Sequence, residues 1–397
     1  MKITIVGDIM CEPPILEGAK QPDGSYDFAP MYEQMLPMFR DADYVIGNME
    51  TTLAGEALEY TKTFFSFNAP DSFGTAMKEA GIDLVSFINN HTLDRGAEGA
   101  VRTMETLDQI GLPYVGTTLP DRPRQGAYYF ERGGVRFAVV SYTYGINNAL
   151  AEDDPVARNL NRLAFFGNYV CDEKIYPTSW VDELYPEMPR TEQNVIRKQY
   201  ELPYLAVQID GHIDHEKVDV YFAQLAEDIR EAKKNADFVI FFPHIGGQFN
   251  TRVGKFSECV TELAIEAGAD AVVASHSHVV QRAEYRGAVP CAYSIGNFSM
   301  CPGFYAVEAK HLREYGVAAH LYLDGAQVEK VTFSIIKGVY RPGEQQVAWP
   351  VDQLYASLTC EEERRQLRMD AERIYRILMG KPLPEGPLQR EYLLEKA

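Results

Sequence analysis

The sequence predicts an α/β protein built on a mostly parallel sheet with antiparallel hairpins at its margins. Strand-like apolar runs alternate with helix-like stretches from the first residues onward, the pattern of successive βα units. Two pairs of β-rich runs are joined by short glycine-containing turns, the mark of hairpins. A third observation bears on function as well. Five short apolar runs each end in a residue that can bind a metal ion: ITIVGD at Asp8, DYVIGNME at Glu50, DLVSFINNH at His91, DFVIFFPH at His244, and DAVVASHSH at His276 and His278. Open α/β sheets gather ligands along the carboxyl edge of their strands.

The elements follow in order. Residues 2–6 read as the first strand, and 31–40 and 71–80 as short helices. Residues 83–88 read as a strand, 96–110 as a helix after the turn at Arg95-Gly96, and 113–116 as a short strand. The runs 127–131 and 135–142 flank Arg132-Gly133-Gly134 and predict a hairpin. Helix 217–234 carries Val218, Tyr221, Phe222, Leu225 and Ile229 at helical spacing. Strand 238–242, helix 255–267 and strands 271–275 and 291–295 come next. Beyond Pro302, strands 316–323 and 328–336 flank Asp324-Gly325, and 351–379 reads as one or two helices rich in Glu and Arg. Such a helical tail packs on the core or on a second subunit, so a homo-oligomer is one expected assembly. The stretch 146–216 breaks the rhythm with Pro155, Pro177, Pro186, Pro189 and Pro203. Structureless loops this long are uncommon inside a domain, so it reads as an insertion with local structure, a cap or wall over the site. The expected division is a domain over 1–305, with the insertion at about 146–216, and a C-terminal hairpin and helical extension over 306–397 packed on the core.

Composition narrows the functional classes. A chain of 397 residues, 46% hydrophobic and 24% charged, can bury a large core. No apolar run reaches the ~18 residues of a transmembrane helix. The opening MKITIVGDIM reads as a strand and not as a signal peptide, which needs a longer apolar region and a cleavage site. A net charge of −19 argues against a nucleic-acid surface, whose affinity rests on Lys and Arg at phosphates. An anionic substrate must therefore be held by local positive charge, such as a metal pair. None of the six cysteines, Cys11, Cys171, Cys259, Cys291, Cys301 and Cys360, forms a C-x-x-C pair. Sparse, unpatterned cysteines suit a reducing cytoplasm, the expected location. Cys11, close behind Asp8, reads as a buried small hydrophobe.

The chain has eight histidines, and four of them sit at the strand ends named above. That concentration points to a metal-centred site, because scattered core histidines would not cluster there. Zinc, manganese and iron accept imidazole and carboxylate together. In Ser275-His276-Ser277-His278 two imidazoles lie two residues apart; on a strand they share a face, and on a turn they splay toward adjacent ions. With His244, Asp8, Glu50 and Asn90 they form a candidate ligand set.

The ordered series GDIM (7–10), GNME (47–50), NNHTLDRG (89–96), PHIGG (243–247), SHSHVVQ (275–281) and YSIGNF (293–298) resembles the CapA family. These are capsule-synthesis proteins tied to poly-γ-glutamate, within the calcineurin-like metallophosphoesterase superfamily. The resemblance implies a four-layer α/β/β/α sandwich of the metallo-dependent phosphatase type and two divalent ions, manganese, zinc or iron, bridged by a carboxylate. By the resemblance, Asp8 and His278 ligate the first ion, Asn90, His244 and His276 the second, and Glu50 bridges. His91 stands beside the scissile group as proton donor or oxyanion stabiliser. Asp94 orients His91, and Asn48 and Asn297 hydrogen-bond around the site. Three positions depart from the superfamily pattern. Met10 stands where a histidine is usual, Glu50 where an aspartate is usual, and Thr92 where an aspartate usually follows His91. A thioether is a poor ligand for a hard ion, so the first site is expected to be the weaker. The expected function is a hydrolase acting on an anionic phosphoester or γ-glutamyl polymer. The alternative is a non-catalytic capsule-assembly or polymer-binding protein whose metal site is structural or vestigial.

Overall fold

In this computed structural model the described residues are 1–63, 65–148, 150–151, 153–164, 172–176, 205–301 and 312–396. Much of the expected insertion, 165–171 and 177–204, lies outside the described residues.

The first four strands, β1 (Lys2–Ile9), β2 (Tyr44–Met49), β3 (Leu84–Ser86) and β4 (Tyr114–Val115), pair side by side in parallel. β5 (Tyr128–Arg132) and β6 (Val135–Val140) form the expected hairpin. Its two-residue turn needs positive φ at both centres, and Gly133 and Gly134 supply 56° and 76°. β7 (Asp172–Tyr176) and β8 (Leu205–Ile209) make a separate antiparallel ribbon. Then come β9 (Phe238–Phe241), β10 (His244–Ile245), β11 (Ala271–Val273), β12 (Ser275–His276), β13 (Ala283–Arg286) and β14 (Val289–Ala292). The last are β15 (Asn297–Ser299), β16 (Tyr315–Asp324), β17 (Gln327–Val339), β18 (Val347–Pro350) and β19 (Tyr392–Leu394).

These strands make two large mixed sheets: the first is parallel from β1 to β4 and antiparallel from β1 to β18, and the second is parallel in the middle and antiparallel at both margins. The first runs β18-β17-β16-β1-β2-β3-β4, with β15 also on β1 and β19 also on β17. The second runs β13-β14-β11-β9-β6-β5. Side chains alternate faces along a strand, and the alternation sorts the core into layers. Ile3, Ile5 and Ile46 of the first sheet meet Phe137, Val139, Phe238 and Ile240 of the second in one apolar cluster. The intervening residues Val6, Val45 and Val85 face outward onto Ile15, Phe73, Met77, Met104 and Leu107. On the second sheet Ala138, Val140, Val239 and Phe241 face Val218, Phe222, Ile229 and Val260 of helices His215–Asn235 and Lys255–Ala267. The order is helix, sheet, sheet, helix, the four layers the sequence implied. Leu367, Ala371, Ile374 and Leu378 of helix Glu361–Met379 join the cluster between the sheets. The β16–β17 hairpin, grouped in the sequence with the C-terminal extension, is hydrogen-bonded directly to β1.

One helix reading differs from the structure, and one is narrowed to its second alternative. Residues 31–40 are not one helix: a 3-10 turn Ala29–Tyr32 and a short helix Leu36–Arg40 replace it. Pro30 and Pro37 each fall in a first turn, where proline starts a helix and cannot continue one. Residues 351–379 form two helices, Val351–Ser357 and Glu361–Met379, separated by extended backbone at Leu358 and Cys360. Among the described residues no helix is long and apolar enough to cross a membrane.

One close approach fixes the geometry beside the metal-binding candidates. A Cβ on Gly7 would lie 1.9 Å from the carbonyl oxygen of Gly296, backbone against backbone, where no side chain can yield. Gly7→Ala is expected to destabilise the fold by about 1–3 kcal/mol, the range for overpacking. Chemical denaturation measures it, and an unchanged midpoint would show that β1 and β15 can separate at little cost.

Candidate metal centre

The parallel registers bring the ligand candidates to one edge. Asp8 of β1 pairs with Asn48 of β2 on one side and with Asn297 of β15 on the other. Glu50 follows β2 directly, and Asn90 and His91 lie in the turn after β3. From the second sheet's side, β10 and β12 pair in parallel and set His244 beside Ser275. The backbone N–H of His276 donates to Asp8 Oδ2 at 3.1 Å, tying the two halves together. All eight candidates meet here and all are buried; the most exposed are His91 at 5% and Asp94 at 9%. His91 and Asp94 thus mark the open side.

Ligand atoms fall into two compact groups that share Glu50. One is Glu50, His244 and His276; the other is Asp8, Glu50 and His278. In the first, His244 Nε2 lies 3.3 Å from Glu50 Oε1, 3.0 Å from His276 Nδ1 and 2.8 Å from Asn90 Oδ1. In the second, His278 Nδ1 lies 3.3 Å from Asp8 Oδ2 and His278 Nε2 lies 3.7 Å from Glu50 Oε1. His91 Nε2 lies 3.9 Å from Glu50 Oε1, and its Nδ1 is 2.8 Å from Asp94 Oδ2.

These residues fit a divalent cation on three counts. Among the described residues neither Glu50 oxygen receives a hydrogen bond and His276 Nε2 has no partner, although all three atoms are buried. An unpaired buried carboxylate is costly, so a counter-charge is called for. The donors mix imidazole nitrogen with carboxylate oxygen, the set that zinc, manganese and iron accept. Finally, His276 and His278 hold φ at 107° and 54°, a backbone cost of about 1–3 kcal/mol each that persists where surroundings impose it.

The electrostatics agree. Burial acts to lower the His278 pKa, but the charges of Glu50 and Asp8 outweigh it and raise it to about 9. Burial acts to raise Asp8, but its hydrogen bond with His278 and the charge of His244 carry it below the ordinary range. Burial, reinforced by His244 and His278, holds His276 well below its usual value. Burial opposes protonation of His91, yet Asp94 outweighs it and raises the pKa. A cation in the pocket would take over the charge that the His278 proton now supplies.

The three departures from the superfamily pattern have distinct surroundings. Met10 is buried with Phe67 and Met300, an apolar cluster beside the site. Thr92 Oγ1 accepts from Asn89 N–H and donates to the Asn89 carbonyl, a local turn bond. Asp94 reaches His91 instead and also accepts from Phe67 N–H at 2.6 Å. Cys11 packs among Val6, Ile9 and Ile15 on the helix-facing side. Sequence reasoning passed over several residues here. Asn89 Nδ2 bridges Asn48 Oδ1 and the Met49 carbonyl. Rings of Phe67, Tyr144 and Phe249 lie 4.6, 4.3 and 5.7 Å from those of His91, His276 and His278. Tyr144 had a fainter signal, lying four residues beyond the apolar run of β6. Phe67 and Phe249 had none, because loops of no recognisable pattern deliver them.

Known proteins resemble this chain along most of its length. The family described as bacterial capsule synthesis protein PGA_cap matches residues 2–300. The Bacillus anthracis "Capsule biosynthesis protein CapA" is 24% identical over 80% of this chain and 65% of its own length. This chain thus spans about two thirds of that relative. The Bacillus subtilis "PGA biosynthesis protein CapA" is 22% identical over 84% of this chain and 70% of its own. Among solved structures, a hypothetical protein from Thermus thermophilus is 15% identical, with a TM-score of 0.44, covering 85% of this chain and 99% of that one. A 5'-nucleotidase from Candida albicans is 11% identical, with a TM-score of 0.40, covering 85% and 51%. Superpositions at that level leave function to the residues of the site. With one family matched across three quarters of the sequence and its motifs gathered at a single edge of the sandwich, the chain belongs to the bacterial capsule synthesis protein family PGA_cap.

Proposed function

We propose that this chain is a metal-dependent hydrolase acting on an anionic substrate, a phosphoester or a γ-glutamyl polymer, in capsule or poly-γ-glutamate metabolism. One observation carries the reading. Two ligand groups share Glu50, and a hydrogen-bonded His91–Asp94 pair stands at their most exposed side. A purely structural site has no use for such a pair. The names of the Bacillus relatives support the capsule setting.

In this reading His244, His276, Asn90 and Glu50 hold one divalent ion, and Asp8, His278 and Glu50 hold another. Manganese, zinc and iron are the fitting metals. Such ions would supply Lewis-acid charge to the oxygens of the scissile group and balance an anion in a protein of net charge −19. His91 delivers a proton from Nε2 to the leaving atom. Asp94 accepts from Nδ1–H, which fixes the ring's orientation and leaves Nε2 toward the ligand groups. The rings of Phe67, Tyr144 and Phe249 keep water from the histidines. Met10 offers a thioether packed against Phe67 and Met300, so the Asp8 position binds its ion more weakly.

The second reading is a non-catalytic assembly or polymer-binding protein with a structural metal site. Its support is enclosure: Asp8, Glu50, Asn90, His244, His276 and His278 are all at most 2% exposed. A panel of phosphoesters and poly-γ-glutamate separates the two, since only a hydrolase turns any of them over.

Four outcomes are expected. Elemental analysis should find His244→Ala depleted of metal and His91→Ala still loaded; equal loss in both would make His91 a ligand. Loading should stabilise the protein by about 4 kcal/mol at a free ion concentration about 1,000 times the dissociation constant, and chelation should reverse the gain in thermal midpoint. In turnover, His91→Ala should lose about 10²–10⁴-fold, the usual worth of a positioned acid, and Asp94→Asn should lose less. Titration of the metal-free protein with manganese or zinc should show two separated binding steps that draw together in Met10→His. Two equal, tight steps in the unaltered protein would contradict the weak first position.

A further inference from the structure

We propose that Asn297 is a positioning residue that fixes which nitrogen of His278 is available to a metal. The inference rests on the metal reading given above. The Asn297 side-chain nitrogen faces three acceptors: the His278 carbonyl at 3.0 Å, the Arg313 carbonyl at 2.7 Å and Met300 Sδ at 3.2 Å. None of these three donates, so the atom facing them is the NH₂ group, and the amide has one orientation. Its oxygen is then presented to His278 Nδ1 at 2.9 Å. An amide oxygen only accepts, so Nδ1 carries the proton. Asp8 Oδ2, 3.3 Å away, is a second acceptor for the same proton. The remaining nitrogen, Nε2, faces Glu50 Oε1 at 3.7 Å and is left to coordinate.

Backbone constraints lock this arrangement. Asn297 pairs with Asp8 across β1 and β15. A Cβ on Gly316 would lie 2.2 Å from the Asn297 carbonyl, so the neighbouring strand presses on Asn297 closely and leaves it little room to shift. His278 itself sits in left-handed backbone at φ 54°, which fixes where its ring enters the site. Metal-binding histidines usually donate their second ring N–H to such a partner, which sets tautomer and orientation. Here that partner is an amide that is itself pinned by two carbonyls.

The test uses the full chain with 15N-labelled histidine and zinc as the probe. The metal-free protein should show a protected Nδ1–H signal that vanishes in His278→Ala, and zinc should leave it in place. In Asn297→Leu the signal should broaden through exchange with water. Zinc titration should then show the binding step at Asp8 and His278 weakened about 10–100-fold, with the step at His244 and His276 unchanged. Asn297→Asp keeps an acceptor for Nδ1–H and should recover most of that affinity. It also guards against a leucine variant that folds poorly. A wild-type Nδ1 without a proton overturns the proposal. So does an equal weakening of both steps, which is what a merely structural role would give. If the wild type binds no zinc, the metal reading falls, while the Nδ1–H signal still decides the role of Asn297.

Discussion

Two carboxylates with no solvent exposure, Asp8 and Glu50, set the terms for the rest of the molecule. Removing a carboxylate from water costs several kcal/mol even after relaxation, unless partners compensate. The protein treats the two differently. Asp8 receives Asn48 Nδ2 at 2.7 Å and the His276 backbone N–H at 3.1 Å, with His278 alongside. Among the described residues Glu50 accepts no hydrogen bond, and the nitrogens of His244, His278 and His91 lie 3.3–3.9 Å from its Oε1. Asp8 is therefore held by hydrogen bonds, whereas Glu50 faces imidazoles without one. Glu50 is also the residue that the two ligand groups share.

The same demand explains how the two sheets meet. Their facing surfaces are apolar and non-directional, so hydrophobic packing alone would tolerate sliding. At the ligand edge the contacts become directional. β10 and β12 stand apart from the second sheet as a two-stranded piece, and the His276 N–H reaches across to the first sheet. Tyr144 N–H donates to the His244 carbonyl, and His244 N–H donates to the Tyr142 carbonyl, so the segment after β6 is stitched to the same point. His276, whose N–H makes the cross-sheet link, holds a strained φ of 107°.

Exposure rises along a short path, from Glu50 at 0% through His91 at 5% and Asp94 at 9% to Phe65 at 61%. The segment that carries Phe65 and Phe67 is held by Arg95, whose guanidinium donates to Ser66 Oγ and also to the carbonyls of Leu58, Glu59 and Asp94. Arg95 is thereby committed to shaping one wall of the site, and its charge is largely spent on backbone oxygens. In a strongly acidic protein this increases the weight that any bound cation carries in attracting an anion.

The strands were legible because buried parallel strands are apolar on both faces and read as continuous runs. The ligands were legible because a polar residue closing such a run has no packing reason to be there. This was enough to single out Asp8, Glu50, Asn90, His91, His244, His276 and His278, while the sheet-on-sheet layering was expected from the family resemblance. Local chemistry misled only where proline was read past, as in 31–40, since Pro37 starts a helix and cannot sit within one. Tertiary structure alone decided the rest. The grouping of the ligands around Glu50 was implied by the family resemblance, but that His276 N–H caps a carboxylate 268 residues earlier depends on sheet order and register. The roles of Asn89, Phe67, Tyr144 and the pinned amide of Asn297 arise from contacts between distant segments. A hydrogen-bond partner is a property of place, and a linear sequence records only which donors and acceptors exist, not which of them meet.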